Sequence, residues 1–447
     1  MRTRFIGILP IILLSLSGPT GTVHCSCVHG KAPTPCFFCA LLGKKASNDR
    51  IRGAAYTKGL AQGTIAVHWS CVQARNLKDS LSVLFWNVEN FFDWRNDSTT
   101  VSDAEFSAAG ERHWTWKRFQ AKANAFAKTL FWVEGETGRL PDIVGLEEVE
   151  NAFVLRQVLQ KTALRKADYK YVHYDSPDRR GIDVALLYRS SRLELIDSKP
   201  CHLYAADTVM ATRDILLCVF RRKASAFSDS PPVFPDPPHV MPDPDRASLP
   251  SGEIPGQAGN DVRGAGNLPA STVFAVLVNH HPSKYGGAAE SEPRRRIAVE
   301  RLRFLVDSLS AAGIDLIIAG GDFNDTPDNP FFRLLEPALI PLHMDLFRRG
   351  LGTIKYDGKW DLIDQVYVSP GWGTRLSAVS EAAADPPSAT DRPSSSISPM
   401  RILRIPFLLT RDNVHSGEKP LRTYTGPRHT GGVSDHLPVL VEVALPP

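Results

Sequence analysis

Short apolar runs, separated by polar turns, occur along most of the chain. The first pronounced run covers residues 81–88 and is apolar on both alternating faces, which is typical of a strand buried between a helix layer and a second sheet. Similar runs predict strands at residues 142–146, 184–187, 215–220, 273–278, 314–319, 362–368 and 439–443. Polar residues that follow these strands are candidates for a site at one edge of a sheet.

Two other stretches show helical spacing. Apolar residues recur at intervals of three and four from Trp116 to Leu130, and again from Ala298 to Leu309, so each stretch predicts an amphipathic helix. Strands interleaved with helices indicate an α/β fold, while direct strand-to-strand stretches favour mixed sheets. We therefore predict two stacked mixed sheets between helices.

The pattern is interrupted in three places. Residues 222–270 are rich in Pro, Ser, Asp and Gly, and residues 380–420 are rich in Ser, Ala and Pro, which predicts two solvated insertions. Residues 25–79 show no sustained period and are expected to form a tail or a loosely attached segment. A single domain that carries both insertions is predicted for residues 80–447.

The first 24 residues have the features of an export signal. Arg2 and Arg4 precede an apolar run at residues 5–16, and small residues follow it. The run is shorter than the about 20 residues that cross a bilayer, and no later segment is longer and uncharged. The sequence predicts a secreted or periplasmic protein with no transmembrane anchor beyond the signal. An uncleaved anchor and a wrongly assigned start are the alternatives.

The cysteines leave two interpretations open. The chain has seven of them, so at least one thiol is expected to stay unpaired. Cys25, Cys27, Cys36 and Cys39 are closely spaced and could bind zinc, but an exported chain would sooner oxidise them.

Composition and charge limit the class of protein. With 43% hydrophobic and 22% charged residues, the chain is an ordinary globular protein, which excludes disorder throughout. Its 52 basic and 48 acidic residues give a net charge of only +4, less than a protein that coats nucleic acid needs. Any preference for a polyanion must be local. A monomer without a stable protein partner is expected.

Acidic and amide residues follow two of the predicted strands. In GLEEVEN, residues 145–151, one of three acids is expected to bind a metal, although acids there are also common as solvated residues that open a helix. In GGDFNDTP, residues 320–327, Asp322 and Asn324 are two residues apart and can face the same way. Such groups suit a hard cation or a phosphate group, and a capping turn is the alternative.

Histidines mark the end of another predicted strand. VNHHPS, residues 278–283, is followed by the arginine cluster at residues 294–296, and imidazole with cations suits a phosphoryl group. His280 is the candidate by position, while His281 is interpreted as structural. Arg295 and Arg296 are predicted to contact a substrate phosphate.

An Asp-His pair precedes the last predicted strand. SDHLPV, residues 434–439, supplies Asp435 and His436, and Asp364 lies in another strand. An aspartate that orients a histidine makes a general base. Such a pair also arises often by chance, so the ordered set of motifs carries more weight than any one of them.

That ordered set resembles the endonuclease/exonuclease/phosphatase superfamily, which includes pancreatic-type deoxyribonucleases, abasic-site endonucleases, sphingomyelinases and inositol polyphosphate 5-phosphatases. The resemblance runs from about Leu81 to the C-terminus and includes RGIDVALLYR at residues 180–189. Its residues, in order, are Asn87, Glu148, His280, Asp322, Asn324, Asp364, Asp435 and His436. It implies a four-layer α/β/β/α sandwich and a Mg²⁺ or Mn²⁺ cofactor.

The resemblance also implies roles for these residues. Asn87 and Glu148 would lie near the metal, with Asp435 as a further metal contact. Asp322 and Asn324 would lie beside the scissile phosphate, and His436, oriented by Asp364, would act on the attacking water. His280 would bind or protonate a phosphate oxygen, and Asp183 would orient it. One departure is Glu147, since family members often have Gln there.

The substrate is predicted to be DNA or RNA, cleaved by an exported endonuclease. The export signal, the arginine cluster and an aromatic stretch with Phe91, Phe92 and Trp94 support this interpretation. A phosphatase or phosphodiesterase acting on lipid headgroups or inositol phosphates is the main alternative. A third is a noncatalytic surface-binding protein of the same fold.

Overall fold

The computed structural model describes residues 80–95, 104–223, 272–284, 286–370 and 400–444, and near the start two short antiparallel strands, Ser15–Leu16 and Val23–His24. The chain divides into two compact units, residues 1–78 and 79–447. Most of the predicted signal, most of the first predicted insertion and the four closely spaced cysteines lie outside the described residues.

The described residues of the second unit form two six-stranded sheets and three helices of ten residues or more. In chain order its main elements are β1 (Ser80–Phe91), α1 (Trp116–Thr137), β2 (Ile143–Val149), α2 (Ala152–Lys161), β3 (Tyr169–His173), β4 (Asp183–Arg189), β5 (Leu193–Cys201), β6 (Ile215–Arg222), β7 (Val273–His280), α3 (Ala288–Ala311), β8 (Ile317–Asp322), β9 (Ile340–Pro341), β10 (Asp364–Val368), β11 (Met400–Ile402) and β12 (Val439–Ala444). Short hairpins, 3₁₀ turns and the helix Met344–Arg348 connect them.

The two sheets share one pairing pattern. The first has the strand order β11-β12-β1-β2-β4-β3 and the second has the order β9-β10-β8-β7-β6-β5. In each sheet the central pair is parallel, β1 with β2 and β7 with β8. A hydrogen bond between Asn87 of β1 and Asp322 of β8 brings the carboxyl ends of these strands together. Polar residues at the strand ends therefore meet at one end of the sandwich.

Three apolar layers hold the sandwich together. Helices α1 and α2 pack on the outer face of the first sheet, around Trp86 and Phe126. A second apolar layer, with Phe85 and Val276, lies between the sheets, and α3 packs on the outer face of the second sheet through Leu302. Successive residues of β1 thus enter different layers, which explains why its sequence is apolar on both faces. This is the predicted four-layer α/β/β/α sandwich.

Glycines let the sheets approach each other around Phe85. A Cβ at Gly145 would lie 2.5 Å from the Phe85 ring, and a Cβ at Gly320 would meet the same ring from the second sheet. The two glycines therefore leave room for one large aromatic ring in a close-packed interior.

The prediction of a second solvated insertion is wrong for its later part, residues 400–420. Residues 400–420 belong to the fold: β11 pairs with β12, and Met400, Leu403, Ile405 and Leu408 are buried. The apolar positions of this segment are too few to predict a strand, because the Ser- and Pro-rich sequence before them indicates a loop. Residues 371–399 lie outside the described part of the chain.

Two further predictions concern the cysteines and the membrane. Cys201 and Cys218 are buried free thiols, which confirms that at least one thiol is unpaired. In the part of the chain that the structure describes, no helix is both long and apolar enough to cross a membrane.

Candidate active site

A bulge at the end of β2 separates the directions of Glu147 and Glu148. Towards β4, Glu147 pairs with Val184 and Val149 pairs with Asp183, after a shift in register between them. Glu148 is the additional residue, with a φ of 65°. A bulge of this kind re-aims a side chain, so Glu147 faces the space between the sheets while the Glu148 carboxylate accepts a hydrogen bond from the Asn90 amide at 2.8 Å.

In the structure, the three acids of GLEEVEN do not lie at the start of a helix. Glu147 and Glu148 lie within β2, and α2 begins after Asn151, whose side chain accepts from the Val154 amide. The alternative prediction, that these acids are solvated residues that open a helix, is therefore wrong. Glu147 is fully buried, and neither of its carboxylate oxygens has a hydrogen-bond partner among the described residues.

The second sheet brings three predicted residues side by side through its register. Asp322 pairs with His280 on one side and with Asp364 on the other. Gly321, with a φ of 130°, precedes Asp322, and a Cβ there would lie 2.7 Å from a Glu147 oxygen and still closer to a backbone carbonyl. Only glycine meets both demands. The GGD sequence is thus explained by packing as well as by chemistry.

His436 and Asp364 form a buried pair. His436 Nδ1 lies 2.9 Å from Asp364 Oδ2, and the Thr353 hydroxyl donates to the same oxygen. Burial alone would lower the pKa of His436, but the carboxylates of Asp364 and Asp322 together raise it well above its usual range. The second ring nitrogen, Nε2, lies 3.9 Å from Asp322 Oδ2, so it faces the centre of the site.

Asp322 occupies that centre. Its Oδ2 accepts from the amide nitrogens of Asn87 at 3.1 Å and Asn324 at 3.2 Å. Its Oδ1 accepts from the Asn324 backbone at 2.8 Å. Burial, with the nearby carboxylate of Asp364, raises the pKa of Asp322 to about 7 despite the opposing effect of His436. Asp322 and Asn324 therefore lie together, as the sequence predicted.

His280 approaches the same carboxylate from the other side. Its Nε2 lies 3.7 Å from Asp322 Oδ2 and 3.9 Å from Glu148 Oε1. Burial and then the guanidinium groups of Arg213 and Arg180 lower its pKa well below the usual range. This ring is therefore neutral at ordinary pH, so one ring nitrogen donates a hydrogen bond and the other accepts one.

The prediction that Asp183 orients His280 needs correction. The Asp183 carboxylate accepts from the backbone and hydroxyl of Ser176, and its Oδ2 lies 3.3 Å from His173 Nε2. These contacts tie it to the end of β3 instead. Asp175 joins His173 and Asp183 in a group whose potential ligand atoms lie within 4.8 Å of one another.

The arginine cluster does not reach the site as predicted. Arg295 is fully buried, and its guanidinium donates to Asp325 at 2.9 Å, to Ser291 and to a backbone carbonyl. Arg296 is exposed and pairs with Glu300 on the same helix. Arg295 thus braces the loop that carries Asn324, and its guanidinium is not available to a phosphate. Helical geometry is the reason, because one residue in a run of three points inward.

The aromatic residues after Asn87 are buried or partly buried, although they were predicted to support binding of nucleic acid. Phe91 and Phe92 are buried, with 2% and 0% exposure, and Trp94 packs against Phe119 and Phe153. These rings pack in the apolar layer between the first sheet and helices α1 and α2. They do not form an exposed surface on which bases could stack.

A network of charged side chains, in which Glu89 and Lys122 are buried and Arg422 is about half exposed, was not predicted. Arg422 Nη2 lies 3.0 Å from both Glu89 Oε1 and Asp435 Oδ2, and Lys122 donates to the Glu89 carbonyl and, at 2.9 Å, to Thr423. Burial and then Asp435 raise the pKa of Glu89 to about 7, while burial lowers the pKa of Lys122 to about 8. One signal was available: Lys122 interrupts the apolar stripe of α1.

The comparison with known families decides the relationship. A sequence model described as the Endonuclease/Exonuclease/phosphatase family matches residues 82–227 and 261–445. The chain belongs to this family. No curated protein matches the sequence. The two matched segments together contain every residue that carried the resemblance.

Solved structures of the family are similar to this chain at low identity. A humanized TDP2 from D. rerio is 13% identical and covers 82% of this chain and 99% of its own, with a TM-score of 0.40. The human Nocturnin catalytic domain is 14% identical, covers 82% and 95%, and has a TM-score of 0.41. A mannosyl-6-phosphatase from Bacteroides thetaiotaomicron is 14% identical, covers 81% and 99%, and has a TM-score of 0.42.

Members of the endonuclease/exonuclease/phosphatase family depend on a metal, and the donor set here fits a hard cation. Carboxylate and amide oxygens, the groups that the side chains of Glu148, Asn87 and Asp435 carry, are ligands that hard divalent cations favour. Asp322, Asp364 and His436 also have potential ligand atoms within 4.8 Å of one another. Burial raises the pKa values of Glu89 and Asp322, and the neighbouring carboxylates of Asp435 and Asp364 add to that effect. A divalent cation would offset the negative charge of these carboxylates.

Proposed function

We propose that this chain hydrolyses phosphodiester bonds in nucleic acid with the help of a bound divalent cation. The observation that carries the proposal is the pair His436 and Asp364, with Nδ1 held at 2.9 Å and Nε2 facing Asp322. A histidine fixed in this way can take a proton from an attacking water. Asn87 and Asn324 flank the same point, where the phosphate would sit.

Each residue then has a separate task. Asp364 keeps His436 in one orientation, so that only Nε2 exchanges a proton with water. His280 and the amide of Asn324 would bind oxygens of the scissile phosphate and stabilise the charge that develops there. Glu148 and Asn87, with Asp435, would hold a Mg²⁺ or Mn²⁺, which when bound would supply Lewis-acid stabilisation of the negative charge at the phosphate.

Nucleic acid is proposed as the substrate because of the cations behind His280. Arg213 and Arg180 lie close enough to that ring to lower its pKa, and local positive charge suits a polyanion. The buried positions of Arg295 and Phe91 remove two of the sequence features that had favoured nucleic acid. The guanidinium groups near His280 are the feature of the site that favours a nucleic-acid substrate.

Export of the protein is also proposed, on the strength of the basic and apolar residues in positions 1–24. The test is to express the full chain in a bacterial host with a periplasm and to determine the N-terminus of the periplasmic protein. A mature chain that begins near residue 25 is expected. An intact N-terminus in the cytoplasmic fraction would remove the proposal.

Activity is tested by incubating purified protein with plasmid DNA and with RNA, in Mg²⁺ or Mn²⁺ and in EDTA. We expect acid-soluble nucleotides that depend on the metal and disappear in the His436→Ala variant. A folded, metal-binding protein that cleaves neither polymer contradicts the nuclease proposal. Phospholipids and inositol phosphates, assayed in parallel, would then identify the main alternative.

A further inference from the structure

A histidine and two aspartates gather at the edge of the first sheet. His173 is the last residue of β3, Asp183 is the first residue of β4, and Asp175 lies in the loop between them. Their potential metal-ligand atoms lie within 4.8 Å of one another. Strands β3 and β4 are antiparallel neighbours, and β3 is the edge strand. The group therefore lies to one side of the candidate active site, which is at the central strands.

The ring of His173 is enclosed, but its Nε2 is not used. The side chains of His173 and Asp183 are only 3% and 5% exposed. His173 Nε2 lies 3.3 Å from Asp183 Oδ2, yet it makes no hydrogen bond there or with any other group in the described part of the chain. A buried polar atom without a partner is costly, so this nitrogen is a candidate ligand atom.

The separation of these two atoms suits a shared cation better than a direct hydrogen bond. Hydrogen bonds from N–H to oxygen usually measure about 2.7–3.2 Å. Zinc binds imidazole nitrogen and carboxylate oxygen at about 2.0–2.2 Å, so two ligand atoms at tetrahedral corners lie about 3.4 Å apart. The observed 3.3 Å between His173 Nε2 and Asp183 Oδ2 is close to that spacing.

The Asp183 carboxylate is oriented by a residue other than His173. Its Oδ1 accepts from the Ser176 backbone amide at 3.0 Å and from the Ser176 hydroxyl. These contacts satisfy one carboxylate oxygen and leave the other, Oδ2, beside the histidine. Outer contacts of this kind fix the direction of ligating carboxylates in metal sites. His173 is therefore not needed to hold the carboxylate in place.

Asp175 opens the group to solvent. Its side chain is 91% exposed, and its Oδ1 lies 3.9 Å from His173 Nδ1. A cation from solution can thus reach the enclosed ligand atoms past a carboxylate at the surface. One imidazole and two carboxylates leave a fourth tetrahedral position for water. The imidazole favours zinc, since Mg²⁺ and Ca²⁺ prefer oxygen ligands.

We propose that His173, Asp175 and Asp183 bind a zinc ion, which closes the loop between β3 and β4. This site is separate from the cation site of the proposed function and does not depend on that function. Without the cation, two enclosed ligand atoms lie side by side with no hydrogen bond between them. With it, one ion joins the end of β3, the loop and the start of β4.

The loop that the zinc would close also reaches the flank of the candidate active site. Asp178 lies in this loop, and its carboxylate accepts from Arg213 at 3.1 Å. Arg213 in turn donates to the His281 carbonyl at 2.7 Å, and the same carbonyl accepts from the side-chain amide of Asn324. Zinc would therefore stabilise a segment that is connected to the candidate active site through hydrogen bonds.

The test measures the zinc bound by the purified full chain after equilibrium dialysis at low-micromolar free Zn²⁺. The wild type should bind one more zinc per chain than His173→Ala. Asp175→Asn changes an exposed side chain, so folding is not at risk. It should weaken binding of this zinc at least about 10-fold, since even partners outside the ligand set cost that much.

The matched control is Asp207→Asn. It removes an exposed carboxylate at another place and should bind zinc as the wild type does. Zinc held at the candidate active site or by cysteines is common to all four proteins, so it cancels in the difference between them. Equal zinc content in the wild type and in His173→Ala overturns the inference.

Melting curves separate a zinc site from a purely structural group. Zinc should raise the melting temperature of the wild type about 3 °C more than that of Asp175→Asn, and the two proteins should melt alike in EDTA. A loss in Asp175→Asn that is equal with and without zinc contradicts the proposal. Binding of Ca²⁺ instead of zinc, lost in Asp175→Asn, rejects the zinc assignment. These measurements do not use enzymatic activity, so they stand even if the proposed function fails.

Discussion

The surroundings of His436 and of His280 differ although the two rings share a carboxylate. Both side chains are buried, and their Nε2 atoms lie 3.9 and 3.7 Å from the same oxygen, Asp322 Oδ2. The far side of the His436 ring meets Asp364. The guanidinium groups that act on His280 are those of Arg213 and Arg180. As a result, the pKa of His436 is raised and the pKa of His280 is lowered.

The difference shows that neighbouring charges, and not burial, divide the tasks at this site. Burial opposes the charged form of both rings equally. A carboxylate behind His436 overcomes that cost and increases the basicity of Nε2, as a proton acceptor requires. At His280 burial already lowers the pKa and the cations behind the ring lower it further, so the ring is neutral, as suits a hydrogen-bond partner of a phosphate. The site therefore has an anionic half and a cationic half.

Within the anionic half, removal of His436 should cause the largest loss of activity. We expect kcat/KM of His436→Ala on plasmid DNA to fall about 10⁴-fold because the proton acceptor is lost. His415, which is 37% exposed, provides a matched control, and His415→Ala should keep wild-type activity. Circular dichroism and Mn²⁺ titration check that the variant is folded and binds metal. Activity of His436→Ala near the wild-type level would exclude the assigned role.

Replacement of Asp364 should change the pH dependence as well as the rate. The base must be unprotonated, so a raised pKa of His436 means that activity increases as the pH rises towards that pKa. Asp364→Asn removes the carboxylate that does most to raise it, so the rise should begin at lower pH. The maximal rate should fall about 10³-fold because the ring loses its orientation. A pH–rate profile measured in Mn²⁺ decides, and an unshifted acidic limb contradicts the assignment.

Much of this arrangement follows from the sequence because it depends on strand ends. Asn87, His280, Asp322 and Asp364 each occupy a place in a buried strand, and strands of this kind are recognisable from apolar runs. The parallel central pairs then bring these ends together. The match of ordered motifs to one family was equally readable, since each motif is local in sequence.

The parts that depend on tertiary geometry were not predictable in the same way. The direction of Glu148 requires a bulge and a φ of 65°, which no periodicity reports. Asp178 and Arg213 meet through loops 35 residues apart. Arg295 was assigned to substrate because a run of arginines suggests a surface, yet the helical phase turns its middle member inward. Sequence patterns indicate which residues are polar and not which of them face one another.

Removal of His280 should test the cationic half with a smaller effect. His280→Ala deletes one hydrogen-bond partner of the phosphate, so kcat/KM should fall about 10²-fold. Because the pKa of His280 lies well below its usual range, the ring does not titrate near neutral pH. The acidic limb of the pH–rate profile should therefore stay where it is in the wild type. A limb that moves in His280→Ala as it does in Asp364→Asn would abolish the distinction between the two halves.

The smallest expected effect concerns stability. It tests whether the anionic half of the site holds excess negative charge. Glu147 is fully buried and has no hydrogen-bond partner within the described ranges of the chain. Burial, and then Asp364 and Asp322, raise its pKa well above the ordinary 4.5. A carboxyl whose pKa is raised by folding destabilises the folded state in its charged form, so the cost is absent below pH 4.5 and grows as the pH rises. Glu147→Gln removes the charge and should raise the melting temperature by about 2 °C at pH 8 in EDTA.

The pH dependence separates this electrostatic cost from a packing effect. The gain in Glu147→Gln should be smaller at pH 5 than at pH 8, since the wild-type carboxyl is then largely protonated. Glu136→Gln, at an exposed position of α1, is the matched control and should change neither melting temperature. An equal gain at both pH values would mean that the amide merely packs better. A loss at pH 8 would mean that the Glu147 carboxylate is stabilised by its neighbours, and the site would then not hold excess negative charge.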